Sequence, residues 1–208
     1  GQEYIFTNNW FDGNKETWGI LLNQLRPQRI LEIGSFEGRS ACYLVEYLGS
    51  QVSIEMHCID SWEGGIEHQP GASSAAEMGE VEKRFHHNIR IAQSKATHKA
   101  NIIAHKGVSS VELPRLISAG MREYFDLIYI DGSHQAPDVL FDSVLAFELL
   151  KVNGLIAFDD YLWQEPLPGG TDPIRCPKPA IDAFTNIYCR KLRLIRAPLY
   201  QLYVQKIC

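Results

Sequence analysis

A short apolar run that breaks at glycine constrains this chain more than any other feature. The run begins at Arg29, breaks at Gly34, passes Gly38 and then enters a helical pattern that extends to Leu48. This order predicts a buried strand, a tight turn and a helix whose N-terminus faces the turn. Backbone N–H groups at a helix start have no partner within the helix, and they point at whatever lies beyond the strand end. We therefore expect a ligand there.

An acidic residue within the strand adds to this expectation. Glu32 is charged in an otherwise apolar segment, and a bound cation or ligand hydroxyls would give it a partner. Glu32, Gly34 and Gly38 match the pattern acidic-x-Gly-x-x-x-Gly, and the run resembles motif I of class I S-adenosylmethionine (SAM)-dependent methyltransferases. The alternative is a dinucleotide-binding turn, in which a second glycine follows the first by two residues. Phe36 occupies that position here, so NAD fits poorly.

Length and composition set further bounds. At 208 residues the chain is most simply one domain, with an N-terminal arm and helix at residues 1–27 and a core at 28–208. A net charge of −5 without a basic stripe gives no reason to expect nucleic acid. Apolar runs too short for a membrane, the lack of a signal-peptide pattern and five scattered cysteines predict a cytoplasmic protein. A homo-oligomer stays open.

Strand and helix patterns alternate along the chain and end in a hairpin. Strands are predicted at residues 29–33, 52–59, 101–105, 124–130 and 155–158, and a hairpin at 192–204. A polar, glycine-rich loop is predicted at 64–74, a long helix at 74–96 and a turn at Asn153–Gly154. This alternation predicts a three-layer α/β/α sandwich with right-handed crossovers. The family resemblance implies a Rossmann-like seven-stranded sheet of order 3-2-1-4-5-7-6, with strand 7 antiparallel.

The ends of the first three strands carry the candidate cofactor residues. In the family, an acid at the end of the second strand binds the ribose diol, and Asp60 stands there, followed by Ser61 and by Trp62, a candidate to lie against adenine. The alternative for Asp60 is a turn or helix-cap aspartate. The family also passes the turn after the third strand beneath the adenine. The resemblance thus implies that SAM contacts Glu32, Gly34, Ser35, Gly38, Ser40, Asp60, Ser61, Trp62, Gly107, Val108, Ser109 and Asp131.

Acidic residues also end the fourth and fifth strands. Asp131 follows the fourth strand, and Asp159 and Asp160 follow the fifth. If these strands are neighbours, their backbones lie about 4.8 Å apart. Three carboxylates at that separation repel one another unless a cation joins them, and oxygen ligands suit Mg²⁺. The sequence therefore predicts a divalent-metal site at Asp131, Asp159 and Asp160, with a simple turn as the alternative for the Asp159–Asp160 pair.

This acidic set resembles that of metal-dependent small-molecule O-methyltransferases of the macrolide-sugar and catechol types, and of cephalosporin-hydroxylase-like proteins. The chain departs from the catechol type in having Asp160 in place of an asparagine, and Ser133 and His134 in place of a lysine base. The resemblance implies methyl transfer from SAM to a hydroxyl of a small molecule, a sugar or secondary metabolite, with Asp131 and His134 as catalytic residues. His134 would remove the hydroxyl proton.

Three alternatives stay open at this point. His134 could be a packing histidine at a helix start. The enzyme could be a SAM-dependent methyltransferase that needs no metal, with the acids binding another kind of acceptor. The chain could also be a binding module that keeps the fold without catalysis.

Overall fold

The computed structural model describes residues 3–69 and 77–208. The strands in these residues are β1 (Arg29–Ile33), β2 (Ile54–Asp60), β3 (Ala100–Lys106), β4 (Phe125–Ile130), β5 (Leu150–Phe158), β6 (Leu192–Ile195) and β7 (Leu202–Lys206). They form one sheet in the order β3-β2-β1-β4-β5-β7-β6. Strand β7 is antiparallel to β5 and β6, whereas β1 to β5 pair in parallel. The predicted fold class and strand order are confirmed.

Helices cover both faces of the sheet. They are α1 (Lys15–Leu25), α2 (Arg39–Gly49), α3 (Met78–Lys95), α4 (Ser109–Ser118), α5 (Ala136–Leu149) and α6 (Lys178–Ile187). Trp18 of α1 and Phe85 of α3 belong to one buried core, and Phe147 of α5 and Phe184 of α6 belong to the other. Because the parallel strands are buried on both faces, they read as continuous apolar runs in the sequence.

One predicted turn lies inside a strand. The turn at Asn153–Gly154 was placed ahead of the fifth strand, but β5 begins at Leu150 and includes both residues. The register with β4 shifts there, since Phe125 pairs with Leu150 and the next pair is Leu127 with Leu155. Asn153 has a left-handed φ of 71°, which places the predicted change of direction in a bulge-like irregularity. The prediction of a separate turn before this strand is wrong.

Part of the predicted segment between the second and third strands cannot be compared. The predicted loop at residues 64–74 and the start of the helix predicted from residue 74 overlap residues 70–76, which lie outside the described residues. The helix itself is present as α3 from Met78. Among the helices described, none has the length and apolar character required to cross a bilayer.

Candidate active site

The tips of the central strands lie side by side at one edge of the sheet. The amide of Gly34 donates to the carbonyl of Ile59 at 2.8 Å, and the amide of Asp131 donates to the carbonyl of Ile33 at 2.8 Å. In the same way, the amide of Asp159 donates to the carbonyl of Ile130 in β4 at 3.0 Å. Parallel sheets of this kind bind ligands beyond the carboxyl ends of their strands. A cavity of about 990 Å³ opens there.

Most of the predicted site residues line this cavity. They are Gly34, Ser35, Ser40, Asp60, Ser61, Gly107, Val108, Ser109, Asp131, His134, Asp159 and Asp160. Three further candidates, Glu32, Gly38 and Trp62, are not among the lining residues in the described part of the chain. The structure therefore brings the two predicted groups, for cofactor and for metal, into one space.

Packing within the protein requires glycine at two positions of the turn, Gly34 and Gly38. Gly34 has a φ of +86°, and a Cβ atom there would lie 2.0 Å from the carbonyl oxygen of Asp131. Gly38 has a φ of +81°, and its Cβ atom would lie 2.9 Å from Cδ2 of Phe85. A residue with a side chain is strained at such φ angles, and at both positions the neighbouring atoms leave no room for a Cβ atom. Gly34 thus admits the backbone of the β4 tip as well as facing the cavity.

Asp60 organises the glycine turn. Its Oδ2 atom accepts hydrogen bonds from the amides of Ser35 at 3.0 Å and Phe36 at 2.8 Å, and its Oδ1 atom accepts one from the amide of Trp62 at 2.7 Å. A carboxylate oxygen can accept more than one hydrogen bond, so Oδ1 keeps capacity for a ligand hydroxyl. The ribose role of Asp60 stays a prediction, and the carboxylate has a structural role beside it.

Trp62 supports this turn from the core. Its side chain is only 4% exposed, its ring centroid lies 4.8 Å from that of Phe85, and its Nε1 donates to the carbonyl of Phe36 at 2.9 Å. Sequence reasoning placed Trp62 against the adenine because it follows Asp60 directly. The ring packs against Phe85 and its N–H has a backbone partner, and the contact of Trp62 with adenine stays a prediction.

Glu32 lies beneath the helix that follows the turn. It is fully buried, and the hydroxyl of Ser40 donates to its Oε2 atom. Burial raises the pKa of Glu32 to about 7, although the nearby hydroxyls of Ser35 and Ser40 act in the opposite direction. Among the described residues its Oε1 atom has no hydrogen-bond partner. Glu32 therefore connects β1 to the first turn of α2.

The acids that directly follow β4 and β5 lie together in the other half of the cavity. Burial is the largest cause that raises the pKa of Asp131 well above its usual range, followed by the charges of Asp159 and Asp160. Burial and the charge of Asp160 also raise the pKa of Asp159. Without a cation, the carboxyls of Asp131 and Asp159 retain protons more strongly than carboxyls in water.

The structure groups His134 with two of the predicted metal ligands. One ligand atom from each of Asp131, His134 and Asp160 lies within 4.8 Å of the other two. His134 Nε2 is 2.8 Å from Oδ2 of Asp160. Asp159, the third predicted ligand, instead accepts a hydrogen bond from Nε2 of Gln201 at 2.8 Å. Two carboxylates and an imidazole form a donor set that fits a divalent metal ion.

Gln201 was missed by sequence reasoning. It is only 1% exposed, and its Oε1 atom accepts hydrogen bonds from Trp18 Nε1 at 2.7 Å and from the hydroxyl of Tyr203. Its Nε2 also donates to the hydroxyl of Tyr129 at 3.1 Å. These bonds connect Gln201 to α1, β4 and β7, and they fix the orientation in which its amide donates to Asp159. A polar residue amid the apolar run of the closing hairpin was the available signal.

The aromatic ring of Trp163 forms part of the cavity wall beside these acids. The ring of Trp163 lies 4.1 Å from that of His134, centroid to centroid, and its amide donates to the carbonyl of Asp160 at 3.0 Å. The helix-start acid Asp138 accepts from the hydroxyl of Ser133 at 2.7 Å. Trp163 thus brings the loop after β5 over the imidazole.

The N-terminal arm attaches to the glycine turn through buried polar side chains. Glu37 is 1% exposed and accepts hydrogen bonds from the amide of Thr7 at 2.8 Å and from its hydroxyl at 2.6 Å. Arg84 of α3 pairs with the same carboxylate at 2.8 Å. Asn88 binds the backbone of Ile5 in the arm: its Oδ1 atom accepts from the amide of Ile5, and its Nδ2 atom donates to the carbonyl of Ile5. The residues that follow, 8–11, line the cavity.

Solved structures with a similar fold were found across most of the chain. An O-methyltransferase from Bacillus cereus in complex with S-adenosylhomocysteine (SAH) has a TM-score of 0.63 at 16% identity, over 93% of this chain and 81% of that one. The O-methyltransferase TomG from Streptomyces achromogenes in complex with SAM has a TM-score of 0.63 at 16% identity, over 94% and 80%. A methyltransferase from Podospora anserina bound to SAH has a TM-score of 0.57 at 18% identity, over 94% and 78%. At these identities the likeness establishes the fold.

A family model establishes the family. No curated protein matches the chain. The model described as a methyltransferase domain matches residues 31–161, which run from β1 to the start of the loop after β5 and make up more than half of the chain. This stretch includes the glycine turn and all the acids of the cavity. The chain therefore belongs to the methyltransferase domain family, with the class I fold that the sequence predicted.

Proposed function

We propose that this protein transfers a methyl group from SAM to an oxygen of a small hydroxylated molecule. The observation that carries the proposal is the joining of two kinds of chemistry in one cavity. The glycine turn and Asp60 lie in one half, and Asp131, His134 and Asp160 lie close together in the other. The similar folds of O-methyltransferases bound to SAM or SAH support the same reaction.

The half of the cavity above β1, β2 and β3 is assigned to the cofactor. SAM supplies an electrophilic methyl group on a sulfonium ion. Asp60 holds the glycine turn by two backbone hydrogen bonds, accepts a third from the amide of Trp62 and can accept a further one from a ribose hydroxyl. The cavity, at about 990 Å³, is large enough for the cofactor together with a small acceptor.

The half above β4 and β5 is assigned to the acceptor. Trp163 provides a flat apolar surface beside His134 on which a ring of the acceptor can pack. His134 takes the proton of the acceptor hydroxyl, and Asp160, whose Oδ2 atom lies 2.8 Å from Nε2 of the imidazole, stabilises the imidazolium that forms. The loop that carries Trp163 lies beside this half of the cavity.

Asp131, His134 and Asp160 also form the set that would hold a divalent cation, with Asp159 as the further predicted ligand. A cation bound there lowers the pKa of an acceptor hydroxyl and fixes the position of its oxygen. One nitrogen lone pair cannot bind a cation and accept a proton at the same time. In the metal-dependent form of the proposal, His134 Nε2 is therefore a ligand rather than the base.

A methyltransferase that needs no metal is the second candidate, and one observation favours it. One of the acids has a partner within the protein that can take the place of a cation, because Nε2 of His134 lies 2.8 Å from Oδ2 of Asp160. Chelation separates the two candidates. Turnover that survives EDTA in Mg²⁺-free buffer favours the second, and turnover restored only by Mg²⁺ or Mn²⁺ favours the first.

Calorimetric titration tests the proposal before the acceptor is known. We expect SAH to bind the wild type in EDTA, and Mn²⁺ to bind the EDTA-free protein. Asp160→Asn should abolish Mn²⁺ binding and leave SAH affinity within about threefold, since the acid belongs to the acceptor half. Glu80→Gln, which removes an exposed carboxylate of α3, controls for net charge. Failure of the wild type to bind SAH contradicts the function, and collapse of SAH binding in Asp160→Asn contradicts the metal assignment.

A further inference from the structure

One buried carboxyl in the cavity has no role in the chemistry described above. Asp142 lies on α5, is only 1% exposed and lines the cavity. Among the described residues, its Oδ1 atom has no hydrogen-bond partner. A buried polar atom without a partner is destabilising, because it has lost its hydrogen bonds to water. A ligand that donates a hydrogen bond at this position would remove that penalty.

The surroundings of Asp142 place it at the cofactor end of the cavity. Its Oδ2 atom lies 3.7 Å from the point where a Cβ atom of Gly132 would be, and its carboxyl interacts with the side chain of Ser109. Asp142 therefore lies between the tip of β4 and the turn that follows β3. That turn is attached to the tip of β2, since the amide of Gly107 donates to the carbonyl of Asp60 at 2.9 Å.

This arrangement puts two carboxylates on either side of one turn. Asp60, residues 107–109 and Asp142 all line the same cavity, so a nucleoside whose ribose is held by Asp60 can extend its base over residues 107–109 and toward Asp142. The edge of adenine carries an exocyclic amino group, which donates hydrogen bonds, next to ring nitrogens, which accept them. A carboxylate oxygen without a partner is suited to accept from that amino group.

We infer that Asp142 binds the amino edge of the cofactor's adenine and selects adenine over a base that lacks the amino group. The inference rests on the proposed use of SAM. It adds a specificity-determining residue on α5, a helix to which the sequence assigned no cofactor contact.

The ionisation of Asp142 is compatible with this role. Burial raises the pKa of its carboxyl to about 7, although the hydrogen bond with Ser109 acts in the opposite direction. Near neutral pH the carboxylate form accepts from the amino group, and the acid form donates to a neighbouring ring nitrogen. Both forms therefore complement the same edge of the base. A carboxyl with a purely structural role, bonded to Ser109 alone, would not sense the base.

Calorimetric titration with two ligands separates these roles. The first is SAH, and the second is the SAH analogue in which hydrogen replaces the 6-amino group of the base. The proteins are the wild type, Asp142→Asn, Asp142→Ala and a control, Glu148→Gln, which alters an exposed carboxylate on the same helix. Thermal unfolding of each variant checks that it is folded.

We expect the wild type and the control to bind SAH about 10- to 100-fold more tightly than the analogue, as for a hydrogen bond to a charged group. Asp142→Ala should bind the two ligands within about threefold of each other, and Asp142→Asn, which keeps an acceptor oxygen, should retain part of the preference. A wild type that binds both ligands equally, or an alanine variant that keeps the full preference, overturns the inference and leaves the proposed function standing. A wild type that binds neither ligand contradicts the proposed function itself.

Discussion

The two halves of the cavity satisfy their carboxylates in different ways. Above β1 to β3, Asp60 receives three backbone amides, and Glu32 receives the hydroxyl of Ser40. Above β4 and β5, burial and the charges of Asp159 and Asp160 raise the pKa of Asp131, burial and the charge of Asp160 raise the pKa of Asp159, and Gln201 is a donor to Asp159. The first half is built from hydrogen bonds that exist before any ligand arrives.

The second half lacks enough donors of its own for all its acids. Carboxylates that crowd together must share protons, pair with His134 or bind a cation. This difference teaches that the half above β1 to β3 is preorganised, and we expect the charge of the half above β4 and β5 to depend on its occupant. Variants that affect one half and spare the other can test this division.

The largest effect should come from Gly34, where the two halves touch. Gly34→Ala puts a Cβ atom 2.0 Å from the carbonyl of Asp131 at a φ of +86°. We expect the free energy of unfolding to fall by more than about 4 kcal/mol in urea denaturation, because backbone must move. Gly120→Ala is the matched control, since Gly120 has the same φ of +86° with no atom within 4 Å. It should lose only about 1–2 kcal/mol from strain, and equal losses in both variants would remove the clash as the cause.

The next effect concerns the pH dependence of stability. The pKa of Glu32 is about 7 in the folded chain against an ordinary 4.5. Its contribution to stability is therefore fully present below pH 4.5 and is lost as the pH rises through about 7, a loss of about 3 kcal/mol. Glu32→Gln cannot ionise, so between pH 5 and pH 8 the unliganded variant should lose about that much less stability than the wild type. Parallel curves from urea unfolding at the two pH values would show that Glu32 does not titrate on folding.

A smaller effect is expected for cofactor binding at Asp60. Asp60→Ala leaves the amides of Ser35, Phe36 and Trp62 without their acceptor and removes the predicted ribose contact. We expect SAH affinity, measured by calorimetry, to weaken by about 1–3 kcal/mol. Asp60→Asn keeps one acceptor oxygen and should lose less. Mn²⁺ affinity should stay within a few-fold, and an unchanged SAH affinity would take Asp60 out of the cofactor site.

The smallest effect should come from the N-terminal arm. Thr7→Val keeps the shape of the side chain and the backbone bond to Glu37, but it removes the hydroxyl that donates at 2.6 Å. We expect a loss of about 1 kcal/mol and faster hydrogen exchange of the amides of residues 3–9. Exchange in β4 and β5 should not change. Equal acceleration in both regions would mean that the arm supports the whole fold rather than the cofactor half.

The sequence could predict the fold and the position of the acids for a physical reason. Parallel strands buried on both faces are continuous apolar runs, and a charged residue at the end of such a run must lie at the sheet edge. Asp60, Asp131 and Asp159 follow this rule, and the structure brings all three to one cavity. Asn153 and Gly154 are typical turn residues, so the sequence predicts a turn there. Whether a strand continues to pair beyond a bulge depends on the neighbouring strand, and the sequence of the bulged strand alone does not show it.

Residues whose role depends on a partner far along the chain could not be placed in the same way. Trp62 follows Asp60, but its ring direction is set by Phe85 of α3. Asp142 carried a signal that went unused, because it stands three residues after Val139 and four before Ala146, on the buried face of α5. An acid at such a position of an amphipathic helix indicates a polar contact inside the protein.

The contact of Gly34 with the carbonyl of Asp131 has a consequence for the evolution of the enzyme. Main chain meets main chain there, with no side chain between the methyl-donor region and the acceptor region. Under the proposed function, the spacing across which the methyl group would travel is therefore set by the backbone of two adjoining strands. Side chains around the rim can diverge to admit new acceptors while the gap between the reacting partners keeps its length.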